Sequence, residues 1–553
     1  MKFQGYIATV AVLLSISSCL ANEYVEPTDF NVVEALALEG IPVNALPNKR
    51  SDRCSTICSI LSDLYHVQVI LAGVDGYDEW RGQFWSSYQR DALPACIFQP
   101  QNAHQVSIAV LLSRWSQCPF AVKSGGHAAM KEASSATGGV SIDMAQMKSI
   151  VLTGDKKIAK VAPGNTWYDV FVVLEKEELA VVGGRVQNIG VGGFTLGGGI
   201  SFHANERGWG CDNVANYELV TAAGAVLQVN AASYPQLFRS LRGGGPNFGI
   251  VTRFDLETFH QGPIYGGSRT YHYPTQNRAV NDALVKFTSK RNPDLGTAIW
   301  HVIGYMPVEG GIDFMSVLMV HKKPDPTTTA FDEWKDITPL SDTLKVRTIA
   351  DITAENAAPL PNGLREHYWT HTFKFDGNFI QWVSDMFYEE LNPIKKEVEG
   401  LMVTLLFQTV SKESVKKMRR NGGNSLPLVE SEAPYFILNF AGMWSKENSQ
   451  DEAKVIGAAA KIMTRAADEG RRRGLFVPYI YMNYGSEYTD VMGSYEKKNI
   501  QRLERVARQV DPTGVFQKLR SGYFKFGGAP TTEGPGILGS AAARSEGYNH
   551  NEL

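Results

Sequence analysis

Hydrophobic and polar positions follow two rhythms along this chain. Between about residues 94 and 180, short apolar runs take turns with stretches of helical period. The run ACIFQP, stopped at Pro100, predicts a strand, and NAHQVSIAVLLSRW puts Ile108, Leu111, Leu112 and Trp115 on one helical face. CPFAVKSGG predicts a second strand, and GVSIDM and KIAKVAPG two more. In NTWYDVFVVLEKEELAV, Trp167, Val170, Phe171 and Leu174 mark one face of a helix capped by Asn165 or Thr166. Mixed α+β structure follows.

Beyond VTRFDLETF the texture changes. Residues 263 to 470 carry longer apolar runs, FMSVLMVHKK, GLMVTLLFQTV and YFILNFAGMW, separated by helical stretches such as DEAKVIGAAAKIMTRAADEG. This pattern predicts a second domain, an antiparallel sheet with covering helices.

With 553 residues, 44% hydrophobic and 20% charged, the chain can bury two or more cores. A formal net charge of -3 excludes a field strong enough to recruit nucleic acid or an anionic membrane. Residues 1–21 combine one basic residue, an apolar stretch and small residues at Cys19 and Ala21, so they read as a secretory signal peptide. No later segment offers roughly 18 uninterrupted apolar residues, and no membrane span is expected once the signal is removed. Five cysteines then remain, Cys54, Cys58, Cys96, Cys118 and Cys211, so one thiol stays without an intramolecular partner. No second close pair completes a zinc-like set, no metal is expected, and a structural disulfide from Cys54 or Cys58 to a distant cysteine is the reading. The closing HNEL resembles a retention address for the endoplasmic reticulum, with export as the alternative.

Three glycine clusters carry the candidate chemistry: SGGH at 124–127, IGVGGFTLGGGISF at 189–202 and LRGGGPNFGIVTRF at 241–254. Backbone N–H groups without a Cβ beside them can cradle phosphate oxygens with no lysine, and a diphosphate ligand accounts for the three together. The spacing of Gly190, Gly192 and Gly193 fails the dinucleotide fingerprint G-x-G-x-x-G, which disfavours NAD on a Rossmann fold.

KSGGH, GVGGFTLGGGISF, GCDNVANYELVTAAG, LRGGGPNFGIVTRF and the late YIYMNYG with DPTGVFQ resemble the FAD-linked oxidoreductases of the vanillyl-alcohol-oxidase superfamily, in the berberine-bridge-enzyme-like group. The resemblance implies a PCMH-type FAD-binding domain built from N- and C-terminal segments that enclose a substrate domain with a large antiparallel sheet covered by helices. The corresponding division is an N-terminal extension at 22–79, the FAD-binding domain at 80–262 and 475–526, the substrate domain at 263–474 and a flexible tail at 527–553.

The same resemblance implies that His127 is bonded to the flavin 8α carbon, with Ser124, Gly125 and Gly126 along the cofactor. Many members add a second bond from a cysteine four residues before the first glycine of the middle cluster. Val186 stands there, so a single covalent link is expected. Ile189 falls beside the oxygen-reactive face of the flavin, where a branched side chain hinders dioxygen. Gly190, Gly192, Gly193 and Gly197, with Asn247, Gly249, Ile250 and Val251, are further cofactor-binding candidates. In YIYMNYG, strand alternation puts Tyr481 and Asn483 on one face and Tyr484 on the other; Asn483 is expected at the flavin and either tyrosine as the base that takes a hydroxyl proton. An unperturbed phenol with a pKa near ~10 needs a positive charge beside it for that role. Gln408, His367, Tyr368, Trp369 and His371 are candidate pocket lining.

The expected activity is oxidation of a small organic substrate, an alcohol of a sugar or secondary metabolite or an alkaloid-type cyclisation, with electrons passing through FAD to dioxygen to give hydrogen peroxide. A dehydrogenase with another acceptor, and an inert secreted flavoprotein, are the rival readings.

Overall fold

A computed structural model describes residues 23–43, 49–308, 310–445 and 447–531. The signal segment 1–21, most of the predicted tail and the closing HNEL lie outside the described residues.

The helix Arg50–Tyr65 carries Cys54 and Cys58 one turn apart, and each forms a disulfide: Cys54 with Cys118, just before the strand Phe120–Lys123, and Cys58 with Cys96, at the start of the strand Cys96–Phe98. Two bridges thus form where one was expected, and the odd thiol is Cys211, buried in the core. They staple the helix to a four-stranded sheet ordered Val69–Leu71, Cys96–Phe98, Val140–Asp143, Phe120–Lys123. The last three strands are parallel and buried almost throughout, as expected for a sheet covered on both faces. One cover is the helix Ala103–Ser116, which buries Ile108, Leu111 and Leu112 behind an Asn102 cap.

A second sheet is antiparallel and has the order Ile150–Leu152, Ile158–Val161, Ile250–Glu257, Val214–Val220, Val226–Val229. The predicted helix Trp167–Leu174 packs Trp167, Val170, Phe171 and Leu174 inward. Its cap is Thr166, in a capping box with Asp169.

Between Ile264 and Val477 the chain builds a nine-stranded antiparallel sheet. One face is covered by the helices Asn277–Thr288, Gly377–Leu391 and Ser449–Arg472. Ile303, Val317, Val403, Leu405, Phe407, Phe436 and Leu438 from the strands meet Val383, Phe387, Ile456 and Met463 from the helices. The last of these helices starts at an Asn448 cap with Asp451 and Glu452 in its first turn and ends on Arg471 and Arg472, charges that suit the helix dipole. The other face of the sheet looks toward the glycine clusters.

The chain then returns to the first sheet. Phe120 N donates to Leu519 O (2.9 Å) and Ser521 N to Phe120 O (2.7 Å), so residues 519–521 extend the edge strand that leads into SGGH. Val515, Phe516 and Leu519 join the core beneath it. The architecture is the expected α+β class with its large antiparallel sheet. No described helix is long and apolar enough to cross a membrane.

Candidate active site

The first and middle glycine clusters press backbone on backbone. A Cβ on Gly125 would stand 2.4 Å from Gly190 N, and one on Gly190 would stand 2.2 Å from Gly125 N. Neither position tolerates a side chain. Ser124 Oγ ties the two loops together, donating to Pro163 O (2.5 Å) and accepting from Gly192 N (3.1 Å). Gly193 differs: nothing lies within 4 Å of where its Cβ would project, and it lines an open cavity.

That cavity, about 560 Å³, lies between the glycine clusters and the uncovered face of the nine-stranded sheet. Ser124, Gly125, Gly126, His127, Ile189, Gly190, Gly192, Gly193, Gly249, Ile250, Val251, Tyr481, Asn483 and Tyr484 all line it. Val186 lines it too. Gly197 and Asn247 do not. A Cβ on Gly197 would meet Asn483 Oδ1 at 1.9 Å, so this glycine makes room for the asparagine. Asn247 donates to Gly244 O (3.0 Å) and Phe524 O (3.2 Å) and accepts from Gln517 (2.9 Å), fastening the third cluster to the C-terminal segment.

His127 stacks on Trp85 with ring centroids 4.0 Å apart. Its Nε2 is buried without a hydrogen-bond partner, and burial pulls its pKa down to about 4. The imidazole is therefore neutral at physiological pH and, in a residue that lines the cavity, keeps a ring nitrogen without a hydrogen-bond partner. An orphaned buried nitrogen, an open Gly193 and two interlocked glycine loops fit a flavin dinucleotide.

The YIYMNYG segment corrects the alternation argument. It is not a strand there but a 3₁₀ turn, Met482–Tyr484, closed by Tyr484 N donating to Tyr481 O (3.0 Å). The turn brings Tyr481, Asn483 and Tyr484 to one cavity. Tyr481 is buried, its hydroxyl oxygen accepting from Ile200 N (3.2 Å) and Asn483 Nδ2 (3.0 Å), and burial raises its pKa far above the ordinary phenol value. Tyr484 has a different partner. Its hydroxyl accepts from Arg185 (2.7 Å), whose guanidinium also donates to Gln408 and lies 4.3 Å over the Trp300 ring. Arg185 is only 7% exposed and has no carboxylate partner among the described residues.

Strand alternation also sorts the other candidates. On Arg365–Lys374, Tyr368 lines the cavity, whereas His367 and Trp369 point to the helix-covered face. His371 meets Phe476 edge to face, away from the cavity. Gln408 meets the site through Arg185. Two residues escaped the sequence reading. Asn439, in the apolar run YFILNFAGMW, lines the cavity with its Oδ1 buried and unpartnered; a lone amide in such a run was the available signal. Arg185 was signalled only by a charge inside VVGGRVQN.

A family profile described as an FAD binding domain matches residues 94–230. The FAD-dependent monooxygenase tpcD of Cochliobolus heterostrophus is 32% identical over 85% of this chain and 94% of its own length. Two solved structures share the fold. Xylooligosaccharide oxidase from Myceliophthora thermophila C1 is 18% identical, with TM-score 0.68 over 86% of this chain and all of that one. Berberine bridge enzyme from Eschscholzia californica is 13% identical, with TM-score 0.65 over 85% and 99% of the two chains.

Proposed function

Because the chain belongs to the FAD-linked oxidoreductases of the vanillyl-alcohol-oxidase superfamily, in the berberine-bridge-enzyme-like group, we propose that it oxidises a hydroxyl-bearing small molecule in this cavity, with FAD tethered once, through His127, and dioxygen as the electron acceptor. The observation that carries the reading is the Arg185 guanidinium donating to the Tyr484 hydroxyl at the cavity wall. A cation beside a phenol stabilises its phenolate form, and the phenolate is the form that can take the proton of a substrate hydroxyl. Tyr484 is accordingly the base. Tyr481 is the positioning partner, its oxygen already engaged by Ile200 and Asn483. Gln408 and Trp300 hold Arg185 in place, and Asn439 offers an acceptor that can orient the substrate. Bound FAD supplies the two-electron acceptor that hands its electrons to dioxygen.

The sheet wall narrows the substrate. Trp300, Val302, Phe314, Leu318, Met402 and Leu406 present a mostly apolar surface, which favours an aromatic or otherwise hydrophobic alcohol over an oligosaccharide. Ile189 at the cavity favours the second reading, a dehydrogenase that uses another acceptor. Two disulfides support passage through the secretory pathway.

Acid precipitation is expected to leave yellow colour in the pellet, on the peptide that contains His127. Anaerobic addition of a hydrophobic alcohol substrate should bleach the protein, and air should restore the colour with release of hydrogen peroxide. Colourless protein refutes the flavin reading; pigment released into the supernatant refutes the tether alone. Recovery only with an artificial acceptor selects the dehydrogenase, and labelled oxygen from dioxygen in the product selects oxygenation, as the name of the tpcD relative suggests.

A further inference from the structure

Arg520 lines the cavity and is 6% exposed. Its Nε is buried without a hydrogen-bond partner, and no carboxylate among the described residues lies within ion-pair distance. Tyr523 lies with its ring centroid 5.3 Å from the guanidinium, Lys525 Nζ donates to the Arg520 carbonyl, and the acidic group nearby, Glu132, acts on Lys525. Burial lowers Arg520 to about 10 and, followed by the repulsion of Arg520, lowers Lys525 to about 8. A buried cation left without an anion is strongly destabilising. An arginine persists in such a place when the cavity's ligand brings the charge.

The position within the cavity says which part of the ligand. Residue 520 pairs with Phe120 in parallel register, and the strand Phe120–Lys123 runs straight into Ser124, Gly125 and Gly126. The turn after it is clamped on the loop that follows His127: a Cβ on Gly522 would meet Glu132 O at 2.5 Å. Arg520 therefore sits on the glycine-loop side, whereas Arg185 and Tyr484 stand on the sheet side. Glycine N–H groups offer only partial positive charge, and a diphosphate carries about two full negative charges.

We propose that Arg520, with Lys525 behind it, is the counter-charge for a phosphate-bearing group seated on Ser124–Gly126. Under the flavin reading, on which this assignment of the ligand rests, that group is the diphosphate of FAD. Binding is measured in the background His127→Ala, stripped of pigment, where no tether masks affinity. Fluorescence titration compares FAD with riboflavin, which has no phosphate, and calorimetry follows inorganic pyrophosphate. Arg520→Gln is expected to weaken FAD and pyrophosphate roughly ten- to a hundredfold, the scale of a charged hydrogen bond, and to leave riboflavin unchanged. Arg520→Lys should restore part of the loss. Equal weakening of FAD and riboflavin, or no effect on FAD, overturns the proposal. Arginine-dependent binding of pyrophosphate with no binding of either flavin keeps the anion site and rejects FAD as its ligand. Should Arg520→Gln not fold, half-buried Lys525→Gln carries the same comparison, with a smaller loss expected for FAD and pyrophosphate and none for riboflavin.

Discussion

The contact between Arg185 and Tyr484 makes a quantitative prediction. Arg185 is 7% exposed and its bond to the Tyr484 oxygen is 2.7 Å long, so solvent screens it little. A hydrogen bond to a charged group in such surroundings is worth about 1.5–3 kcal/mol. If Arg185 favours the phenolate through which Tyr484 takes the substrate proton, Arg185→Gln should slow flavin reduction by roughly ten- to 150-fold. Tyr484→Phe removes the base itself and should cost roughly a hundredfold to ten-thousandfold. The decisive quantity is the double variant. Both substitutions break one interaction, so adding Arg185→Gln to Tyr484→Phe should slow the reaction little further, with a coupling of about 1.5–3 kcal/mol. Anaerobic stopped-flow at saturating substrate reads the reduction step without oxygen chemistry. Two effects that simply multiply would mean that Arg185 acts independently of Tyr484 and would refute the assignment of the pair.

Two further outcomes follow from packing and burial. Gly125→Ala forces a Cβ to 2.4 Å from Gly190 N, backbone on both sides; overpacking of this kind should lower stability by about 1–3 kcal/mol in urea titration and reduce flavin content, and unchanged values would mean the loops can part. His203, His301 and His367 are buried, and burial lowers their pKa from 6.5 to about 4, 3 and 3. The unfolded chain takes protons at them near pH 6.5 that the native state refuses, so their contribution is complete above that pH and is lost as pH falls toward 3. Glu487, raised to about 7 by burial, opposes this between 4.5 and 7. His301→Phe should flatten the loss of stability on acidification by about one proton in that window, and an unchanged slope would contradict the burial argument.

Local patterns in the chain were good guides to local structure. The helix face of Trp167, Val170, Phe171 and Leu174 and the covered strands are as their periodicity predicts. The alternation argument failed at YIYMNYG because aromatic residues of strand type there close a 3₁₀ turn, and a turn directs consecutive side chains to one side. In REHYWTHTF strand alternation holds but is mute. It separates Tyr368 from His367 and Trp369 without saying which set meets the cavity, because both faces of that sheet are buried.

From sequence alone came the α+β class, the spacing of the glycine clusters, His127 as a candidate tether and Val186 in place of a second one, since these depend on residues near each other along the chain. Tertiary structure decided the rest. Gly125 faces Gly190 across 65 positions, Arg185 meets Tyr484 across 299, and Arg520 returns to the strand of Phe120 from the far end of the chain. The worth of a buried charge is set by which groups share its low-dielectric surroundings, and those neighbours exist only once the chain has folded.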